Sequence, residues 1–540
     1  MKFLPAASSW PLMRDRMKPG LLFVLLCPPF AFGPAMSVSG AIATSTGYYA
    51  ASTISPPPPL REFRGAWVAT VGNIDWPSKP GLPVEQQKAE FLLILERAVT
   101  LNLNAIILQV RPACDAMYAS TIEPWSPYLT GTMGKAPEPF YDPLDFAVAE
   151  AHKRGLELHA WFNPYRAAHP SSKSPISPNH ISKTHPNLVR RYGEYLWLDP
   201  GERDVQDYTL SVIMDVVKRY DIDGVHFDDY FYPYKIKDAQ KRDIDFPDES
   251  SWRRFGVASR LTREDWRREN VNNLIQRVHE AIRETKPWVK FGISPFGIWQ
   301  PHVPPQINGL GSYAGLYCDS RKWLINGWVD YLSPQLYWTI QAPEQSYPVL
   351  LKWWETQNPK HRHIWPGIDS GNVGGKWRPE EIINQIRLTR QETADVGNIH
   401  WSMKCLMQNR GNLAATLAAE VYAEPALPPA SPWLDTKAPG RPAIKIDEHG
   451  KLRWEPAAGD SIRWWVVQAR SNGEWSTLIL PGAARVQSFA FAPEAVAVTA
   501  IDRCGVASPP SALEQRILMA EEHPKPRVEK ASPLRSPKDH

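Results

Sequence analysis

The chain has 540 residues, with 61 Lys and Arg against 57 Asp and Glu, a formal charge of +4 and 22% charged residues. That length holds two or more domains and one large core. The near balance of charge, with no long basic block, argues against nucleic acid as the main partner.

At the N-terminus, Arg14, Arg16 and Lys18 precede an apolar run at 21–32, and Ala41-Ile42-Ala43 offers a small-residue cleavage site. The run is too short to span a bilayer as a mature helix. Residues 1–43 therefore read as a cleaved export signal, which places the protein in the periplasm or cell envelope. Lipid anchoring at Cys27 is the alternative, and the bulky Leu26 before it counts against that. Residues 44–60, with Pro56 to Pro59, read as a proline-rich linker. Cys114, Cys318, Cys405 and Cys504 lie far apart without metal-ligand spacing. They read as free buried thiols, although an exported protein can pair cysteines.

From residue 61 to 423, apolar strand-like runs alternate with amphipathic stretches, the pattern of a parallel α/β domain. Eight strands are predicted, at 63–70, 104–111, 156–164, 224–230, 290–297, 330–338, 363–370 and 398–406. Eight such units fit a (β/α)8 TIM-type barrel with long loops. Asp142-Pro143 supplies an N-cap and an N1 proline for one helix, which Gly155 ends. Thr262 with Asp265 resembles a capping box, opening a helix whose apolar face runs through Val271, Leu274, Ile275, Val278 and Ile282. Long connections at 169–199 and 235–261 follow the third and fourth strands, on the face where barrels keep their active sites.

Residues 424–440 are proline-rich and mark a boundary. Beyond them, short alternating runs between turn residues predict a small all-β sandwich at 441–518. Within it, 498–508 resembles the last strand and turn of fibronectin type III modules. Residues 519–540 are charged and proline-bearing and read as a disordered tail.

The richest stretch is Asp223-Gly-Val-His-Phe-Asp-Asp-Tyr-Phe-Tyr232. A short apolar strand ends in two carboxylates, Asp228 and Asp229, which cannot both ionise comfortably side by side. A turn with capping aspartates is the bland alternative. The other strand ends collect Gln109, Arg111 and Asp115; Trp161, Asn163, Tyr165 and Arg166; His226 and Tyr230; Ser294; Gln335, Tyr337 and Trp338; Asp369; and Ser402 with Lys404. Converging acids, amides and aromatics suit sugar binding and glycosidic cleavage. His226 reads equally as a satisfied core histidine, Trp161 and Trp338 equally as packing, Arg111 and Arg166 as structural partners of the acids, and Asp223-Gly224 as a turn. No metal-ligand cluster and no phosphate-binding glycine loop is present, so no cofactor and no metal are expected.

Phe63-Arg-Gly-Ala-Trp-Val, Gly155-Leu-Glu-Leu-His-Ala-Trp-Phe-Asn-Pro-Tyr-Arg166, Asp223 to Tyr232, Phe291-Gly-Ile-Ser-Pro and Asp330-Tyr-Leu-Ser-Pro-Gln-Leu-Tyr-Trp338 resemble the family-10-like glycosyl hydrolases. The resemblance covers nearly all of 61–420. It implies a TIM-type barrel in an exported enzyme that cleaves cell-wall glycan, most closely peptidoglycan strands stripped of their peptides, with association with the division machinery. A consecutive Asp-Asp at a strand end also resembles hexosaminidases that use the substrate acetamide as nucleophile. That resemblance implies that Asp228 polarises the acetamide and Asp229 is the general acid/base, with Tyr337 and Asn163 as hydrogen-bond partners of the acetamide or developing charge; from their places at the strand ends, Arg111, Trp161, Tyr165, Arg166, His226, Tyr230 and Trp338 are expected to bind substrate with them. The second mechanism makes Asp228 a covalent nucleophile supported by His226, with a distant acid such as Asp369. Two other functions stand beside this one: a non-catalytic glycan-binding or division scaffold, and a glycosidase for another polysaccharide.

Overall fold

The computed structural model describes residues 47–517; the export-signal and tail readings lie outside them. Its centre is a ring of parallel strands: Phe63–Val68, Ala105–Arg111, Glu157–Phe162, Gly224–Phe227, Lys290–Ile293, Tyr331–Leu332, a seventh interrupted at Trp365-Pro366 into His363–Ile364 and Gly367–Ile368, and Gly397–His400. The interrupted strand closes the ring. Its first half pairs with Tyr331–Leu332 and its second with Gly397–His400, which pairs in turn with the first strand. All eight sequence-derived strands are present; the second ends at Arg111 as expected, and the other seven stop short of their expected C-terminal ends. The eighth ends at His400, and residues read as its continuation form the helix Met403–Met407.

These strands are buried on both faces, which explains why they read as unbroken apolar runs. The barrel interior is unusually aromatic. Phe63, Trp67, Trp161, Tyr331 and Trp365 fill it with Ala105, Ile107 and Ile399, and Phe63 stacks on Trp365 at 3.8 Å. Rings of that size need gaps opposite them. A Cβ on Gly292 would stand 1.9 Å from the Tyr331 ring, and one on Gly224 2.6 Å from His159. Gly224 is therefore a strand residue that makes room for an imidazole, not part of a turn.

The helices begin where their caps predict. The Asp142 Oδ1 accepts from Leu144 and Asp145 N–H at 3.0 and 3.3 Å, starting Pro143–Lys153. Thr262 Oγ1 accepts from Asp265 N–H at 3.1 Å, starting Arg263–Thr285. The connection after the third strand folds into its own three-stranded sheet. The one after the fourth is clamped by Arg267, which holds Asp245 and Asp248 at 2.7 Å each.

The C-terminal residues form two antiparallel sheets. One contains Ala443–Ile446, Leu452–Glu455 and Val486–Gln487; the other runs, in spatial order, Gly47–Ser52, Ser511–Ile517, Ala495–Ile501, Trp464–Ser471 and Glu474–Pro481. Leu452, Trp454, Trp465, Val467, Val496 and Val498 form the core between them. Reading 44–60 as linker is thus corrected at Gly47–Ser52, which is an edge strand paired along its whole length with Ser511–Ile517. Its hydrophobic alternation is too short to stand out beside the prolines that follow.

Residues 424–440 are not a free tether either. Leu427 N–H and C=O bond to Leu60 and Glu62 at 2.9 and 2.8 Å, and Trp433 Nε1–H donates to Asp330 at 2.8 Å. The sandwich sits on the N-terminal face of the barrel. Arg463 reaches Asp223 at 3.3 Å and the Leu156 carbonyl at 2.6 Å, and Trp464 Nε1–H donates to Gly155 at 2.7 Å. The opposite face, where the acids lie, stays uncovered by the module.

Candidate active site

The fourth strand ends at Phe227, so Asp228 and Asp229 leave the regular pleat and escape the alternation that would send them to opposite faces. Both are nearly enclosed, 4% and 2% exposed. Their carboxyls diverge. Asp228 turns toward the third strand, accepting from Trp161 Nε1–H at 3.1 Å, from Asn163 Nδ2–H at 3.2 and 3.1 Å on its two oxygens, and from Tyr230 N–H at 3.4 Å. Asp229 turns the other way, accepting from the Tyr234 hydroxyl and lying beside Gln335 at the end of the sixth strand.

The two environments set two protonation tendencies. Burial raises the Asp228 pKa, and the nearby Arg166 charge with three donors pulls it back down. Burial is also the largest effect on Asp229; with the repulsion of Asp228 it pushes the carboxyl up to about 7, against the hydrogen bond from Tyr234. One acid is surrounded by donors suited to a carboxylate, and its neighbour keeps a proton near neutrality. Asp369, at the end of the seventh strand, is pushed up to about 6 by burial, even though Asn372 donates to it at 2.5 Å. The Tyr337 hydroxyl is raised by burial and by the charges of Asp369 and Asp229.

Of the residues expected to touch substrate, Trp161, Asn163, Arg166, Tyr230 and Tyr337 gather around the pair. Arg166 lies over the Tyr230 ring at 5.1 Å. Trp338 packs edge-on against Phe296 at 5.5 Å, half-buried at the sixth strand end. Three others do not reach the site. Arg111 is enclosed, bidentate to Glu123 with its shortest contact at 2.6 Å, and donates to the Asn163 and Pro164 carbonyls at 2.9 Å each. It supports the loop that carries Asn163. Tyr165 is fully buried in the layer between strands and helices, because Asn163 turns the chain there: its Oδ1 caps Arg166 N–H at 2.8 Å.

His226 is the third. It lies inside the barrel beneath the acids, fully buried. Trp67 Nε1–H is a pure donor, so His226 Nε2, at 3.1 Å, accepts. Nδ1–H then donates to Tyr331 Oη at 2.9 Å, Tyr331 donates to His159 Nδ1 at 2.8 Å, and His159 Nε2–H donates to Glu157 at 2.9 Å, which meets Lys290 at 2.7 Å. Every link of this chain down the barrel axis has one consistent direction. His226 is held neutral, and burial together with His159 lowers its pKa well below the usual imidazole range.

Tyr234 and Trp401 escaped the sequence reading. Tyr234 closes an aromatic run in which Phe231 and Tyr232 are core, and only its position before the charged loop at 235 marks it. Trp401, packed against Trp67 and Trp161 at 6.2 and 6.3 Å, was hidden by extending the eighth strand through it. Tyr234→Phe is expected to lower kcat about tenfold, the loss of one hydrogen bond to a charged group. It should also move the alkaline limb of the pH–rate profile upward, since that bond holds the Asp229 pKa down. Among the described residues, no three His, Cys, Asp or Glu side chains are arranged to hold a metal ion, and Cys114, Cys318, Cys405 and Cys504 are buried and free.

The sequence matches the family model described as glycosyl hydrolase-like 10 over residues 62–381, the whole span that carries these strand ends up to the seventh. The chain belongs to that family. It is a glycoside hydrolase, with its acids at the C-terminal end of the fourth strand. It is 42% identical over 407 residues to glycosyl hydrolase YngK of Bacillus subtilis, covering 73% of this chain and 78% of the relative. It is 36% identical over 345 residues to glycosyl hydrolase DigH of Escherichia coli K12, covering 60% of this chain and 76% of that one. Among solved structures, the glycoside hydrolase domain of PgaB from Bordetella bronchiseptica aligns over 66% of this chain and 98% of its own, at 15% identity and a TM-score of 0.46.

Proposed function

We propose that this glycoside hydrolase cleaves peptide-free peptidoglycan strands in the cell envelope, acting after export and in association with the division machinery. What carries the reading is the contrast between two neighbouring acids: Asp228 ringed by donors, Asp229 with its carboxyl raised to about 7. Peptidoglycan sugars bear acetamides beside the bond to be cut. Asp228, as carboxylate, accepts the acetamide N–H and sharpens its oxygen, which attacks the anomeric carbon. Asp229 gives its proton to the departing glycosidic oxygen and then removes one from the water that opens the cyclic intermediate. The enclosed aromatic walls around the pair exclude bulk water and strengthen both interactions.

The covalent alternative keeps Asp228 as nucleophile and assigns the proton to Asp369, whose pKa of about 6 supports that use. Asp369→Asn distinguishes the two: substrate assistance predicts a modest loss, the covalent route near-complete loss. Incubating the protein with denuded strands, and with another polysaccharide in parallel, followed by mass spectrometry of soluble fragments, tests the substrate. Absence of fragments from denuded strands alone would redirect the assignment to a different glycan.

The pH dependence follows from the proton on Asp229. The raised carboxyl works as an acid only while protonated, so kcat/KM is expected to fall as pH rises through about 7. A flat profile from pH 6 to 9 would rule Asp229 out as the acid. The reading of 441–518 as a fibronectin type III-like module is supported by its arrangement: the first, second and fifth of its strands in one sheet, the remaining four in the other. Such a module docked behind the barrel suits spacing the enzyme from a partner or the wall.

A further inference from the structure

Far from the acids, the loops entering the first, seventh and eighth barrel strands and the 428–433 strap line an open cavity of about 680 Å³. Its wall carries Arg61, Lys360, His361 and Arg362, against one acid, Asp395. We propose that this cavity, on the N-terminal face of the barrel, binds an oxyanion-bearing ligand: a phosphate or carboxylate group carried by a sugar-sized molecule or polymer unit.

Three observations converge on it. First, among the described residues neither Arg61, Lys360 nor Arg362 is ion-paired with a carboxylate. Arg61 donates to the Pro428 carbonyl at 3.1 Å, and Arg362 lies over the Trp433 ring at 4.5 Å. Second, the buried acid beside Arg362, Asp330, is already engaged by other donors, and Asp395 is the one acid on the wall. Asp395 faces the His363 imidazole at 3.3 Å, and Asp330 takes Trp433 Nε1–H at 2.8 Å, Phe291 N–H at 2.7 Å and Arg283 at 3.1 Å. Third, Arg362 Nε is buried without a hydrogen-bond partner. Buried donors are nearly always satisfied, so this guanidinium is left one acceptor short. Arg61 and Arg362 are half-buried, and burial lowers the pKa of each more than the nearby Asp502 and Asp330 restore it, so neither charge is fully compensated. An oxyanion seated among them offsets that cost, and guanidinium geometry suits it.

The volume exceeds that of a lone ion and matches sites for small organic ligands. The site lies at the end of the barrel remote from Asp228 and Asp229, so an occupant leaves the catalytic face free. Its role is to hold the enzyme to an anionic component of its surroundings rather than to compete with the glycan, and this does not depend on which glycan is cut.

The test is calorimetric titration of the full protein at low salt with glucose 6-phosphate, glucuronic acid and glucose. The expected result is saturable binding of at least one anionic sugar and none of glucose. The phosphorylated and carboxylated arms decide which oxyanion is preferred. Lys360→Glu, an exposed position whose folding is safe, and Arg61→Gln should each weaken binding tenfold or more while glycan hydrolysis stays at the wild-type rate. Equal uptake of glucose, no saturable binding of either anion, or unchanged affinity in Lys360→Glu would overturn the proposal.

Discussion

Asp229→Asn is expected to abolish turnover while raising the melting temperature at pH 8. The two effects share one cause. Burial raises this carboxyl to about 7 in the folded protein, against about 4 in an unfolded chain. Between those values the folded state binds more protons than the unfolded one, so stability falls as pH rises. Three pKa units correspond to roughly 4 kcal/mol at pH 8. Asparagine is neutral and still accepts from Tyr234, so it removes that cost. It also removes the proton donor, which contributes on the order of 10²–10⁴ in rate. Asp228→Asn should lose turnover as severely with a smaller gain in stability, because donors from Trp161 and Asn163 already offset its burial. Thermal unfolding at pH 5 and pH 8, beside turnover on denuded strands, checks both. An inactive Asp229→Asn that melts below wild type at pH 8 would instead mark a structural acid.

Arg111→Met should act in the opposite way. It is expected to cost about 3–5 kcal/mol by leaving Glu123 charged and enclosed without its partner. The fraction that stays folded should bind glycan with an unchanged KM. Arg111→Lys should recover little, since an ammonium cannot span Glu123 and two carbonyls at once. Denaturant titration measures the loss. A KM effect without destabilisation would return Arg111 to the substrate side.

That contrast explains how much of this site could be read in advance. Strand ends were legible because parallel strands buried on both faces write long apolar runs, and whatever polar residue closes the run stands at the barrel mouth. The pair at 228 and 229 was legible for that reason, and family motifs reinforced it. What a strand end does not disclose is direction. Arg111, Tyr165 and Asn163 all lie within a few residues of such ends, yet only Asn163 faces the acids. The choice is made by Glu123, twelve residues beyond Arg111, and by the turn Asn163 itself imposes. His226 was ambiguous for a similar reason: its partners Trp67, Tyr331 and Ser294 come from three other strands. The linker at 44–60 was misjudged because six residues with modest alternation take their meaning from a strand more than 450 positions away.

That distant pairing has a consequence for how the protein is made. Gly47–Ser52 is the first described segment to emerge from the ribosome, and Ser511–Ile517 the last. The outer sheet of the sandwich can be finished only after the chain has been made as far as Ile517, so this β-ladder is among the last parts of the described fold to form. Gly47 and Ile517 also face each other as register partners. The chain therefore enters and leaves the described fold at one point, and a label or surface attached through either end would hold the barrel from the same place.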